Sequence, residues 1–300
     1  MEGKWTQFFE AMARGRAAYG SALLGVCNVT PDSFSDGGQS FRFEDACARV
    51  QALFDEGANV VDIGAESTRP GAVSVPALEQ IARVVEVVRV AARRGSVSID
   101  TASAEVADAC LSAGACAVND VSCLADEALA RVVAKHDAAL ILMHSRGSQT
   151  RMAGFSAYPE GGYVHVLDEV ASELRGAAAR AEAFGVRPEA IAFDPGYGFA
   201  KNAHQSFELL RGTASLVKIL ERPIVIGASR KSFLVLFDRD ADREACATQR
   251  VGASVAAALW AARAGASMVR VHDVRATRQA LSLEKALAAG MDRLSGGSDA

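Results

Sequence analysis

Eight short apolar runs, each followed by a longer Ala-, Glu- and Arg-rich stretch, recur along the chain. This alternation restricts the fold more than any other feature. The runs are Leu23–Asn28, Asn59–Ile63, Val97–Asp100, Ala115–Asp120, Ala138–His144, Ala190–Asp194, Pro223–Gly227 and Ser267–His272. Short apolar runs bounded by turn residues read as strands covered on both faces. The stretches between them read as helices, among them Glu44–Glu56, Pro76–Arg94, Ala104–Ser112, Glu127–His136, Val164–Ala183 and Ala247–Ala264. Glycines 57, 95, 114, 185 and 265 stand at the helix-to-strand joints, where a C′ glycine ends a helix. Eight β-then-α units in one chain predict a single-domain α/β fold, the (β/α)8 TIM barrel. An open doubly wound sheet is the alternative, but no G-x-G-x-x-G follows the first strand.

Residues 4–18 read as a short amphipathic helix outside this pattern. The organisation expected is therefore an N-terminal helical extension over 1–20, the barrel over 21–290 and a flexible Gly/Ser-rich tail over 291–300. A net charge of −4 and the absence of a long Lys/Arg run argue against a nucleic-acid surface. No apolar run reaches the roughly 18 residues of a membrane helix, and the N-terminus shows no h-region of a signal peptide. The six cysteines form no C-x-x-C pair and mostly sit among Ala and Val, as reduced core residues do. A cytoplasmic protein is expected.

The polar residues gather at strand ends: Asn28, Asp62, Asp100, Asn119, His144 and Asp194, then Lys231, Arg270 and His272. In a barrel these ends share the C-terminal face, where active sites are built. Buried carboxylates without partners are costly, so their repetition at one height points to a ligand with a dense hydrogen-bonding edge. Carboxylates, an amide and a lysine suit a bicyclic aminopyrimidinone: the acids accept from its amino and ring N–H groups, and the lysine donates to its carbonyl. A second chemistry lies in the loops. Residues 66–71 offer hydroxyls and Arg69 on a proline-stiffened turn, and Ser229-Arg230-Lys231-Ser232 is expected to open a helix, whose free N–H groups favour an anion. With Arg270 and His272 this capacity fits a pyrophosphate leaving group. Asn28 and Asp36 could hold a hard, oxygen-liganded Mg²⁺ on it.

The motifs NVTPDSFSDGG (28–38), DIGAESTRPGA (62–72), SIDT (98–101), NDVS (119–122), LMH (142–144), DPGYGF (194–199), GASRKSF (227–233) and RVHDV (270–274) resemble, in order, those of the dihydropteroate synthases. The resemblance spans about residues 22 to 285. It implies condensation of 6-hydroxymethyl-7,8-dihydropterin pyrophosphate with p-aminobenzoate, with Mg²⁺ as cofactor and a homodimer through the late helices around Ala247–Ala264. Carried over by motif position, Asp100, Asn119, Met143, Asp194, Lys231 and Arg270 would hold the pterin, with Arg270 stacked on the ring. Asn28, Thr68, Arg69, Arg270 and His272 would bind the pyrophosphate. Phe34, Pro70 and Phe199 would sandwich p-aminobenzoate, and Ser232 would receive its carboxylate. Asp36, Arg69, Lys231, Arg270 and His272 would carry the catalysis, with Mg²⁺ on Asn28 and Asp36. The loops 30–42 and 65–75 would close over the substrates.

Several residues have a plainer reading beside the functional one. Asp62 reads equally as a loop anchor, His144 as a packed histidine, Glu66 as a loop brace and Arg230 as a surface charge. The chain departs from the family where Ala65 and Ala200 replace glycines, where Ser206 replaces a common Asn, and in the Ser145-Arg146-Gly147-Ser148-Gln149 segment. Three competing functions remain: a methyltransferase barrel acting on a pterin, a homologue that binds pterin without turnover, and a generic phosphate-binding barrel. The first has no need of the TPDSFSDGG loop, the STRPG turn or the Arg270/His272 pair.

Overall fold

A computed structural model describes residues 3–30, 43–66, 75–147, 162–237 and 247–289. Eight parallel strands form one sheet: β1 (Ala22–Asn28), β2 (Val60–Gly64), β3 (Ser96–Asp100), β4 (Ala117–Asp120), β5 (Ala139–Met143), β6 (Ile191–Asp194), β7 (Val225–Ile226) and β8 (Met268–Val271). Their order is β6-β5-β4-β3-β2-β1-β8-β7, and a parallel bridge between Phe193 and Ile224 joins the two ends. The result is the expected (β/α)8 barrel. The helices are α1 (Lys4–Tyr19), α2 (Phe43–Glu56), α3 (Ala77–Ala92), α4 (Ala104–Ala113), α5 (Glu127–Lys135), α6 (Val166–Ala183), α7 (Ala203–Arg211), α8 (Thr213–Leu220), α9 (Val251–Arg263) and α10 (Val274–Ala289).

The period of two along each strand separates two cores. Outward residues such as Leu23, Val61, Ile63, Val97, Ile99, Leu140 and Phe193 join the helices in one large apolar cluster. The inward set is different. Leu24, Val60, Ala117, Ala139, Ile141, Ala192, Val225 and Met268 fill the lower barrel, together with Phe8, Ala11 and Met12 of α1. The N-terminal helix thus closes the barrel floor, with the Trp5 N–H donating to the Asp137 carbonyl at 3.0 Å. One pleat repeat higher, the inward positions turn polar: Asp62, Ser98, Asp100, Asn119, Asp194 and Arg270. Register sets their heights, pairing Asp62 with Ser98 and, one layer above, Asp100 with Asn119, with Met143 beside Asp194.

Four local expectations need correction. Helices α7, α8 and α10 go beyond the set read from the sequence. The α7 start carries a full capping box, in which Asn202 and Gln205 each accept from the other's backbone N–H. The strand expected over Pro223–Gly227 narrows to Val225–Ile226. Gly95 is not a left-handed helix cap: a Cβ there would meet the Phe54 ring at 2.7 Å, so close packing demands the glycine. Finally, Ser229–Ser232 does not open an α-helix. The segment leads into a short 3-10 helix, Ser232–Phe237, and the next α-helix among the described residues begins at Val251.

Candidate active site

Asp62 organises the polar floor. It is fully buried. One oxygen accepts from Ser98 Oγ at 2.6 Å; the other accepts from Asn119 Nδ2 at 3.0 Å and Arg270 Nε at 2.7 Å. Arg270 also donates through Nη2 to Asp100 Oδ2 at 2.7 Å. The guanidinium therefore lies between two carboxylates, which is the arrangement a buried cation requires. Burial opposes its charge, but Asp62 and Asp100 outweigh that, and Arg270 stays firmly protonated. Its hydrogen-bond partners among the described residues are strand side chains rather than a loop, so Asp62 positions Asn119 and Arg270 instead of anchoring a loop.

Asp100 differs from Asp62 in one respect. Its Oδ1 is buried and has no partner among the described residues. An unpartnered carboxylate oxygen is expensive, and burial raises Asp100 to about 7 against the pull of Arg270. Beside it, Gly64 leaves space: a Cβ there would lie 3.5 Å from both Asn28 Oδ1 and Asp100 Cβ. Asn28 thus stands next to Asp100 at the mouth. Ala65, where a second glycine was expected, is buried in the outer core and blocks nothing.

Asp194 closes the opposite side. Its Oδ1 accepts from the Gly196 N–H at 2.8 Å, and Gly227 comes so near that a Cβ would meet Asp194 Oδ2 at 3.2 Å. Burial raises its pKa, offset in part by that N–H and by Lys231. The Lys231 ammonium lies 4.1 Å over the Phe199 ring centroid. Burial, with Arg270 adding to it, lowers Lys231 to about 7 against Asp194 and Asp100. Phe199 packs with Met143 and Val121 as a small separate apolar cluster. Met143, Phe199 and Lys231 therefore form one wall, with Ser232 following at the start of the 3-10 helix.

His272 follows β8 at the rim. Its Nδ1 is 3.1 Å from Ser229 Oγ, which also accepts from the His272 N–H at 3.3 Å. Burial, reinforced by Arg270 and Arg230, lowers it to about 3. The imidazole is thus neutral, and hydrogen bonding rather than fixed charge is its contribution. A cavity of about 550 Å³ adjoins it, lined also by Arg49, Arg230, Asp273 and Arg275. Arg230 is not a loose surface charge: it forks onto Asp273 at 3.0 and 2.6 Å. Glu66 is the brace expected, accepting from the Val75 N–H at 2.8 Å and Gln80 Nε2 at 3.3 Å.

A second buried network went unread in the sequence. Lys201 is fully buried, with its ammonium on His144 Nδ1, the Gly196 carbonyl and the Phe199 carbonyl. His144, packed as expected, passes its Nε2–H to Glu173 Oε2 at 3.0 Å, and Arg146 joins that carboxylate. Burial and the adjacent Lys201 lower His144 to about 4. Five expected site residues, Phe34, Asp36, Thr68, Arg69 and Pro70, lie outside the described residues.

No three His, Cys, Asp or Glu side chains among the described residues converge to hold a metal ion. Asn28 offers one hard amide oxygen at the mouth. Mg²⁺ binds through one or two side chains plus substrate phosphates and waters, and the other side chain expected to hold it, Asp36, lies outside the described residues.

Residues 24–272 match the family described as pterin binding enzyme. The dihydropteroate synthase of Mycobacterium leprae is 42% identical over 265 residues, covering 87% of this chain and 91% of that protein. The Xanthomonas albilineans dihydropteroate synthase solved with 4-aminobenzoic acid superposes with a TM-score of 0.81 at 37% identity, covering 90% of this chain and 94% of that one. The same enzyme in complex with 7,8-dihydropteroate gives a TM-score of 0.77 at 34% identity, again covering 90% and 94%. The chain belongs to the pterin-binding enzyme family, on the dihydropteroate synthase branch of it.

Proposed function

We propose that this protein is a working dihydropteroate synthase, joining 6-hydroxymethyl-7,8-dihydropterin pyrophosphate to p-aminobenzoate with release of pyrophosphate. The observation that carries this is the polar layer itself. Asp100, Asn119, Asp194 and Lys231 converge above an apolar floor, and one Asp100 oxygen is buried without a partner among the described residues. The Asp100 and Asp194 carboxylates accept from the pterin amino and ring N–H groups, Asn119 takes a neighbouring edge, and Lys231 donates to the ring carbonyl. Met143 and Val121 cover the ring.

In the reaction the dihydropterin ring pushes electrons toward its exocyclic methylene as the C–O bond to pyrophosphate breaks. The arylamine nitrogen then attacks that carbon and loses a proton. Arg270, held by Asp62 and Asp100, faces the pterin with a fixed positive charge. His272 and Asn28 meet the departing pyrophosphate at the mouth with hydrogen bonds, and Thr68 and Arg69 add to them. Phe199 supports the arylamine ring, with Phe34 and Pro70, and Ser232 takes its carboxylate. Asn28 and Asp36 are the residues to hold Mg²⁺, which when bound would offset charge on the leaving group.

We assign the working form as a homodimer built on the α9 side. Trp260 is half exposed there, and Phe207 and Phe237, with rings 5.4 Å apart, lie exposed nearby. A reduced cytoplasm suits the five described cysteines, all free, and no described helix is long and apolar enough to cross a membrane. The deciding experiment is pyrophosphate release by the purified protein with dihydropterin pyrophosphate and Mg²⁺, with and without p-aminobenzoate. Release that depends on p-aminobenzoate and yields dihydropteroate supports the synthase. Pterin binding without turnover would leave only a binding homologue.

A further inference from the structure

Lys201 is an ionisable group that the reaction above does not use, and it is among the most completely buried side chains in the described molecule. An ammonium has three N–H donors. Its three nearest acceptors are His144 Nδ1 at 2.8 Å, the Gly196 carbonyl at 3.0 Å and the Phe199 carbonyl at 3.0 Å, with the His144 carbonyl further off at 3.5 Å. A buried charge is tolerated when it is saturated in this way. Two of the acceptors belong to the turn that follows β6. That turn carries Gly196, Gly198 and Ala200 at φ +70°, +76° and +50°. Such winding frees backbone carbonyls from any ladder, and Lys201 gathers two of them onto one point. The third acceptor ties the turn to β5 through His144, whose ring is in turn fixed by Glu173 and Arg146.

The two site residues on this turn depend on Lys201 unequally. The Asp194 backbone is anchored by the sheet, its carbonyl accepting from the His144 N–H at 2.8 Å and its strand pairing with β5, while its carboxylate takes the Gly196 N–H at the near end of the turn. Phe199 has no such ladder. Its carbonyl is held by Lys201, and its N–H reaches back to the Gly196 carbonyl at 3.2 Å. The Lys231 ammonium rests on the Phe199 ring. Resting on the synthase reading, we propose that Lys201 is a positioning residue for the arylamine substrate: its buried ammonium fixes the 196–199 turn and with it the Phe199 ring against which that substrate lies.

Lys201→Met keeps length and apolar bulk but has no donor. Steady-state kinetics with both substrates, alongside thermal unfolding, test the proposal. The expected result is a KM for p-aminobenzoate raised about tenfold or more with a lower kcat, since small misplacements near the reacting groups cost up to about a hundredfold. The KM for dihydropterin pyrophosphate should rise severalfold less than that for p-aminobenzoate, because the sheet holds the Asp194 backbone. A lowered melting temperature with both KM values unchanged would mean a merely structural lysine and overturn the proposal. So would an equal rise in both. If the variant does not fold, Ser206→Ala decides. Its hydroxyl holds the Gly198 N–H of the same turn at 3.1 Å without touching substrate. An elevated KM for p-aminobenzoate alone supports the proposal; no change overturns it. Wild-type turnover measured alongside separates the two levels. No dihydropteroate from the wild type refutes the synthase reading, whereas normal wild-type turnover with an unaffected variant refutes only the role of Lys201.

Discussion

Replacing Asp62 tests how the floor of the site is held. Three donors converge on this fully buried carboxylate: Ser98 Oγ, Asn119 Nδ2 and Arg270 Nε. Asp62→Leu leaves all three without their acceptor. Removing one partner of a buried charge pair costs about 3–5 kcal/mol, but Arg270 keeps Asp100 and its side chain retains 18% exposure, so its share is smaller. Stranding the Asn119 amide adds about 1–3 kcal/mol. A total near 4 kcal/mol follows. Asp62→Asn should cost much less. With its amide nitrogen turned to Ser98, whose hydroxyl can accept, its oxygen still serves Asn119 and Arg270, and only the charge is lost, about 1–2 kcal/mol. A chain of 300 residues has an unfolding entropy of about 0.6 kcal/mol per degree. The leucine variant should therefore melt about 7 °C lower and the asparagine variant about 2–3 °C lower. The leucine variant should lose at least about tenfold in kcat/KM for the pterin substrate, because Arg270 loses its orientation, and the asparagine variant, which keeps that acceptor, should lose less. Thermal unfolding and initial rates on the two variants check this. A leucine variant that melts within a degree of wild type, or no dearer than the asparagine variant, would refute the argument.

Asp100→Asn should behave in the opposite way. Its amide oxygen can still accept from Arg270, so the change gives up the charge of that pair while easing the burial of a carboxylate whose other oxygen has no partner among the described residues, and the melting temperature should move by less than about 2 °C. Pterin kcat/KM should nevertheless fall about a hundredfold, the pattern of a residue kept for function at a cost in stability. His144 supplies an acid limb to stability. Its ordinary value of 6.5 is lowered to about 4 by burial and by Lys201. Between those values the unfolded chain binds a proton that the folded protein refuses. Stability from this group is complete above pH 6.5 and is lost as pH falls toward 4, by about 3 kcal/mol. Urea unfolding across that range should show the loss, and His144→Gln should flatten it; an unchanged slope would dismiss the assignment. Phe8→Ala should cost about 3–5 kcal/mol by emptying the barrel floor, measured by the same denaturant titration. A cost under about 1 kcal/mol would show α1 to be dispensable packing.

What could be read from the sequence follows from the period of two. Every barrel strand puts alternate residues inward, so an Asp, Asn or Arg late in an apolar run must point into the site. Asp100, Asn119, Asp194 and Arg270 were readable for that reason, and the structure places them together. Asp62 was ambiguous because it sits one layer lower, where its role depends on which donors the other strands present: Ser98 on the adjacent β3 and Arg270 on β8, beyond β1. No local pattern contains that. The helices after β6 escaped notice although Asn202 and Gln205 form a capping box, because Gly212 splits the segment into two short pieces. A Cβ at Gly212 would meet the tip of Leu167 at 2.3 Å, so a larger residue there would have to displace a side chain of a distant helix. His272 was readable as a site residue but not as a neutral one, since its state depends on burial and on Arg270 and Arg230.

Lys201 shows where such reading stops and what could extend it. A lysine after a glycine-rich turn normally reads as solvated, because lysines are almost never fully buried without partners. The turn around it, however, carries its own signal. Gly196 and Gly198 permit left-handed backbone, and Ala200, where the family places a third glycine, adopts φ +50° at a cost of roughly 1–2 kcal/mol. Left-handed residues in close succession cannot pair their carbonyls in a sheet or helix, and buried carbonyls must find donors somewhere. The nearest residue able to satisfy several at once is the ammonium that ends the motif. The strain at Ala200 is then sustained by Lys201, and the same lysine that allows the turn to exist also determines where Phe199 stands.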